Sequence, residues 1–365
     1  MGRGQSASDA GAVKFFQSLI LFEAEVKMNI FATVLTYPAP SANYRGESEE
    51  NRSVIQKVTY GRFEYPIISP EAMRNALRET LFKYGLPRNR ERLHNEEQLA
   101  VRFEDYPFPE KFADDFFFGY FVADRGQIPD KVVKDRGFQF KRDSVLRMNL
   151  ARAVEPYRHD ALFTQSPLTI KNQDSPWQNA TTSALLHRET VVTAFQYPFA
   201  LNLVDCRLKP ADGAKAPDGK AYPSKGEQHK DWLRHLLRAI SELNDVAGNH
   251  ARSYFEMAPA SIVIRLTDSL VAGYETYGFK PDGGFPEIVD GVLHGDYPGD
   301  EFYLGGQIVK NVLNHGSNKI LKTKGVNLFR MPNEALSAVA RKVCGNGFLE
   351  KERAWEESAN AAPPA

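Results

Sequence analysis

The helix signal at residues 69–84 constrains this chain more than any other feature. Ser69 suits the cap position and Pro70 the first helical position. Met73, Ala76, Leu77, Thr80, Leu81 and Tyr84 recur at helical spacing and form one apolar stripe. Gly85 and Pro87 end the helix. Arg74 and Arg78, four apart, fall on a flank off that stripe. A second amphipathic helix is predicted over 232–247, with Leu233, Leu236, Leu237, Ile240, Leu243 and Ala247 as its stripe and Gly248 as its terminator.

Runs of β-branched and aromatic residues flank both helices. Residues 29–37 (NIFATVLTY) read as a strand that Pro38 and Pro40 stop. Residues 144–154 read as one strand, Leu146, Met148 and Leu150 on one face and Arg147 and Asn149 on the other. Residues 190–204 are strand-like with a break or edge at Pro198, and 261–267 (SIVIRLT) form another strand. The order is strand, helix, strand, strand, helix, strand. This is an α+β chain with the ferredoxin-like split βαβ pattern, a fold that RNA recognition modules and many unrelated proteins share.

The remaining segments interrupt that order. Residues 54–60 and 62–68 resemble a hairpin around Gly61. Residues 86–141 mix charges with aromatics and look like an inserted subdomain. Residues 156–187 are polar and turn-rich and read as a projecting loop or hairpin, and 209–228 as a surface loop. Residues 2–12 and 358–365 have the composition of tails. Met28 opens a strong strand and is a candidate start, which makes 1–27 a dispensable extension.

Charge narrows the function. Lys+Arg and Asp+Glu both number 46, so the chain as a whole is no basic polyelectrolyte. Yet residues 52–92 hold nine basic residues against four acidic ones, and 136–158 hold six against Asp143 and Glu155. Local charge of this kind, rather than a basic pI, is what phosphate binding needs. The amino end of the 69–84 helix adds unpaired N–H groups and partial positive charge beside Arg74 and Arg78. A solvated face accounts for the same residues without any ligand.

Signatures of other chemistries do not occur. There is no GxSxG, GxxxxGK[ST], HExxH or GxGxxG. Cys206 and Cys344 form neither a disulfide framework nor a CxxC site, and read as reduced thiols in a cytosol. His229 and His235 are six apart, off metal-binding helical spacing. Asp296, Asp300 and Glu301 lack EF-hand spacing and read as an acidic surface loop. No apolar run reaches membrane-spanning length, and 15–22 makes a poor signal peptide. The expectation is a cytoplasmic, non-catalytic protein without cofactor or metal.

Five segments resemble the DevR-type CRISPR-associated proteins, the backbone subunit of type I-B Cascade. They are NIFATVLTYPAPSANYRGE (29–47), YPIISPEAMRNALRETL (65–81), KRDSVLRMNLARAVEPY (141–157), YPFALNL (197–203) and GNHARSYFEMAPASIVIRL (248–266), in family order. Each is weakly specific alone; the ordered set, spanning roughly 28–330, is more so.

The resemblance implies a ferredoxin-like (RRM-like) palm with an inserted finger subdomain and a protruding thumb hairpin. The implied layout is an extension (1–27), palm (28–85), finger (86–141), palm strand (142–155), thumb (156–187), palm (188–267), a palm-associated segment (268–350) and a tail (351–365). Copies would stack along one CRISPR RNA, hold its backbone and leave guide bases free to pair with target DNA. Other Cascade subunits are the implied partners. The implied RNA-binding residues are Ser41, Asn43 and Arg45 in the loop after the first strand, and Ser69, Met73 and Arg74 on the first helix. Where many relatives carry a second basic residue this chain has Asn75, so the resemblance implies either that this contact is lost or that Arg78 replaces it. Arg142 and Arg147 match the basic run entering the next strand. Phe163 or Leu162 is the implied wedge against a base. Asn249, His250 and Arg252 match the turn after the second helix, and capping the helix end explains His250 as well. Two other functions compete: a precursor CRISPR RNA endoribonuclease with a His acid–base, and an operon autoregulator, although no helix-turn-helix is present.

Overall fold

Strand Asn29–Thr36 lies inside a sheet of nine strands among the described residues. It pairs antiparallel with Phe195–Asn202 on one side and with Pro259–Thr267 on the other. The computed structural model describes residues 29–41, 44–49, 52–92, 101–123, 128–136, 138–165, 185–206, 227–246 and 256–353. Beyond Phe195–Asn202 come Ala151–Ala153, Phe63–Ile68 and the edge strand Lys57–Tyr60. Beyond Pro259–Thr267 come Phe302–Gly306 and Asn327–Phe329. Within this sheet only that last pair is parallel. The molecule is thus mixed α+β around a large, mainly antiparallel sheet.

Alternation along the strands sends side chains to two cores. Ile30, Ala32, Val34, Phe195, Tyr197, Phe199, Ile262 and Ile264 face one way and are buried under three helices. Those helices are Pro70–Lys83, Glu227–Ser241 and Pro332–Cys344. The predicted stripes do this packing: Met73, Leu77 and Leu81 from the first, Leu233, Leu236, Leu237 and Ile240 from the second. Each such side chain contributes about 1.5–3 kcal/mol on burial. The opposite face carries Val263, Leu304 and Leu328 against the helices Pro286–His294, Gln307–Asn314 and Asn318–Thr323. Residues 268–330, in which the sequence predicts no helix or strand, thus cover part of the sheet. Arg265 holds the acidic loop there, with Nε donating to Glu301 at 2.7 Å. Among the described residues no cluster suits a metal ion, and no helix is long and apolar enough to cross a membrane.

The strand predicted over 144–154 is two pieces, Leu146–Met148 and Ala151–Ala153. Both pair with Phe195–Asn202, and the gap falls opposite Pro198. Pro198 accepts from the Asn149 N–H at 3.2 Å, so its own side of the ladder faces that gap. A proline lacks the N–H that a continuous neighbour would require there. The second helix also starts earlier than predicted and stops at Ser241, before Ala247.

Candidate nucleic-acid interface

Ser69 caps the helix Pro70–Lys83 with extended backbone (φ −68°, ψ 148°), and its hydroxyl accepts from the Ala72 N–H at 3.2 Å. One turn on, Arg74 reaches across to the sheet, where Nη2 donates to the Met148 carbonyl at 3.3 Å. Its ion pair with Glu71 is long, at 3.8 Å. The neighbour of Met148, Arg147, points to the other face and leaves 73% of its side chain exposed, 3.9 Å from Asp205. A surface pair that long contributes little. Strand Leu146–Met148 therefore places two cations predicted from separate segments on either side of one short element.

Arg147 lines a groove of about 260 Å³ with Phe31, Asn149, Pro198, Ala200 and Thr276. The loop that walls it is tied down: Thr33 donates to the Thr276 carbonyl at 3.0 Å and Tyr277 to the Leu150 carbonyl at 2.7 Å. No carboxylate lines this groove. One cation, one amide and an aromatic edge suit a polyanion carrying bases. A larger cavity, about 450 Å³, lies between Glu227–Ser241 and Pro332–Cys344. There Arg234 is held by Asp231 and Arg341 by Glu352, so those cations are already neutralised.

Three expected contacts are corrected. Arg78 does not lie free on a flank. It is buried, 3.5 Å from Asp114 and 5.0 Å from the Phe118 ring centre. Burial, then the charge of Arg90, lower its pKa to about 10, and Asp114 opposes them. The side chain points at the helix Ala113–Phe118, which needs a countercharge for Asp114 and Asp115. Met73 is fully buried under the sheet. Ser41 is buried in the short strand Ala39–Ser41, paired with Val191–Thr193.

The other positions divide. Arg45 belongs to strand Tyr44–Glu49. Asn43, Asn249, His250 and Arg252 lie outside the described residues. Arg142 is half-buried with its guanidinium 5.5 Å from the Phe116 ring centre. Its strand passes so close to Gly119 that a Cβ there would sit 2.3 Å from the Arg142 carbonyl, and Gly119 has φ +64°. His229 stacks on the same Phe116 at 4.8 Å. Burial, then the charge of Arg142, lower its pKa.

Leu162 and Phe163 are exposed on the strand Ala161–Gln165, which pairs with Leu185–Glu189. The Phe163 and His187 rings meet edge to face, 3.9 Å between centres. Glu189 fixes the base of this hairpin, accepting from the Ile55 N–H at 3.1 Å and from Lys57 at 3.3 Å. Residues 166–184, the rest of the expected thumb, lie outside the described residues.

Sequence reasoning missed Arg152. It stands on the groove face of Ala151–Ala153, with its guanidinium carbon 4.6 Å from the Tyr277 ring centre, 5.2 Å from Tyr60 and 5.6 Å from Tyr65. Those rings come from three segments, so no linear pattern announces the cluster.

Comparison with known proteins follows the same line. No family model matches the chain. A protein from Myxococcus xanthus (strain DK1622), described as CRISPR-associated protein Cas7/Cst2/DevR, is 27% identical over 305 residues, covering 79% of this chain and 89% of that protein. The chain resembles Cas7/Cst2/DevR. The DevR-type resemblance carried by the five sequence segments is therefore met by a relative along most of the chain. Two solved chains titled CRISPR RNA-guided surveillance complex align more loosely than this Cas7/Cst2/DevR protein. One is 15% identical, with a TM-score of 0.43 and coverage of 76% of this chain and 87% of its own. The other, titled as a pre-nicking complex, is 12% identical, with a TM-score of 0.41 and coverage of 67% and 80%.

Proposed function

We propose that this protein is a non-catalytic, CRISPR RNA-binding backbone subunit of a type I Cascade complex. The observation that carries the reading is the 305-residue likeness to a protein described as Cas7/Cst2/DevR. The site agrees with it chemically: Arg147 lines a groove that no carboxylate lines, and Arg74 reaches the same strand from its helix side. The strand order 259–267, 29–36, 195–202, 146–153, with the helices 70–83 and 227–241 beside 332–344 on one face, supports a ferredoxin-like palm. On this reading 86–141 is the finger and 156–187 the thumb. Phe163 and Leu162 are the wedge, and Ser69, Arg74, Arg142 and Arg147 are backbone contacts. Copies of the chain polymerise along the guide in the cytoplasm with other Cascade subunits and present it to target DNA. Phosphates are held by charge and bases are read by pairing, so the protein needs no cofactor or metal.

The test is to purify the full chain with its nucleic acid and sequence what co-purifies. Short RNAs of CRISPR repeat and spacer in a high-mass oligomer are expected. A folded monomer free of nucleic acid at low salt overturns the reading and favours the autoregulator. Cleavage of a precursor CRISPR RNA by the pure chain, lost on His250→Ala with binding retained, favours the endoribonuclease.

A further inference from the structure

We propose that Arg152, with Tyr60, Tyr65 and Tyr277, binds one nucleotide of a single-stranded RNA, the guanidinium holding a phosphate and the Tyr60 ring carrying a neighbouring base. This rests on the RNA-binding reading and adds a site to it. Arg152 Nε is buried and has no hydrogen-bond partner, and no ion pair of Arg152 is found among the described residues. A half-buried cation without a counter-anion is costly. The three ring faces attract its charge without neutralising it. A phosphate oxygen supplies what is missing, and a planar guanidinium grips it through two N–H groups.

The rings are arranged for a second task. The Tyr277 hydroxyl is spent on the Leu150 carbonyl, which fixes that ring behind Arg152. Tyr65 meets Tyr60 edge to face at 6.3 Å and supports it from the side. Tyr60, on the edge strand of the sheet, is 63% exposed, which leaves ring surface open to a flat apolar group. Base stacking on such a ring is indifferent to sequence. A carboxylate from another protein would satisfy Arg152 and leave Tyr60 unused; a nucleotide uses both.

The position continues the groove. Arg152 sits opposite Gln196 and Arg147 opposite Ala200, on one strand and one face. Four residues along a strand separate them by roughly 13 Å. One polyanion crossing the short strands can therefore meet both cations.

The test uses the full chain and a fluorescein-labelled uridine octamer, with anisotropy measured across a range of salt. Arg152→Gln should weaken binding about tenfold and flatten the log–log salt slope by about one. Tyr60→Ala, at an exposed position, should weaken binding about five- to tenfold with the slope unchanged. A 4-thiouridine octamer should cross-link to Tyr60. Should Arg152→Gln lose its circular dichroism spectrum, Tyr60→Ala and the cross-link decide alone. Wild-type binding that Arg74→Ala weakens and that neither Arg152→Gln nor Tyr60→Ala changes overturns this site and leaves the RNA-binding reading standing. No octamer binding by folded wild type at low salt fails the reading itself. Loss of self-association in Arg152→Gln with octamer affinity intact assigns the cage to a carboxylate of a second copy and overturns the proposal.

Discussion

Nε of Arg78 sits 3.5 Å from a carboxylate oxygen of Asp114, with only 9% and 2% of the two side chains exposed. Asp114 also accepts from the backbone N–H groups of Asn89 and Arg90, at 2.8 and 2.9 Å. The first helix is thereby bound to the segment that follows it by a buried charge cluster, and the two arginines of that helix do different work.

Arg78→Ala leaves the Asp114 carboxylate buried with no cation at that distance. Breaking a buried pair in this way costs about 3–5 kcal/mol, and urea denaturation should show a loss of that order. Arg74→Ala should cost less than about 1 kcal/mol, weaken RNA uniformly across sequences and flatten the salt slope by about one. If Arg78→Ala binds RNA poorly while denaturing like wild type, the burial argument fails.

The same cluster predicts a pH dependence. Burial, then the adjacent Asp114, raise the Asp115 pKa to about 6; bonds from the Phe108 N–H and Asn89 pull the other way. Between the unfolded value of about 4 and the folded value, the folded chain holds more protons than the unfolded one. This group's contribution to stability therefore falls as pH rises from about 4 to 6. Asp115→Asn should remove that slope. Denaturation curves at pH 4.5, 5.5 and 6.5 check it; a wild type and variant that differ by the same amount at all three contradict the assignment.

Phe163 is exposed and contributes little to the core, so Phe163→Ala should leave stability within about 0.5 kcal/mol. On the backbone-subunit reading it should also erase the regular interval of a nuclease footprint on bound guide RNA while overall affinity changes little. An unchanged footprint would remove Phe163 from the role of wedge.

Glu189→Ala should act at a distance along the hairpin. It strips the acceptor from the Ile55 N–H and from Lys57, whose ammonium also sits 4.0 Å over the Tyr157 ring. A buried donor left without its partner costs about 1–3 kcal/mol. Hydrogen exchange at Ile55 should speed up accordingly, with the amides of Leu236 and Leu237 unaffected. Equal acceleration everywhere would mean that the pair holds the whole fold.

The parts legible in the sequence are those whose signal is local. The stripe Met73, Leu77, Leu81 fixed a helix because every residue of it lies within three turns, and the same holds for Leu233 through Ile240. The strand 302–306 was not legible: two of its five residues are glycines, and its partners are Pro259–Thr267 and the three-residue Asn327–Phe329. Arg78 misled because helical spacing alone cannot say which neighbour approaches a flank; the carboxylates that claim it lie at 114 and 115. Arg147 was readable because alternation decides its face. Arg152 was readable only as one basic residue among six, since its rings arrive from Tyr60, Tyr65 and Tyr277.

Strand Asn29–Thr36 meets neither neighbour until the ribosome has made residues 195–202 and then 259–267. At ordinary synthesis rates its second edge waits roughly 10–45 s. Throughout that time an apolar strand with open hydrogen-bonding edges is available to other nascent chains. Slower initiation of translation, which spaces nascent chains along the message, should therefore raise the soluble yield.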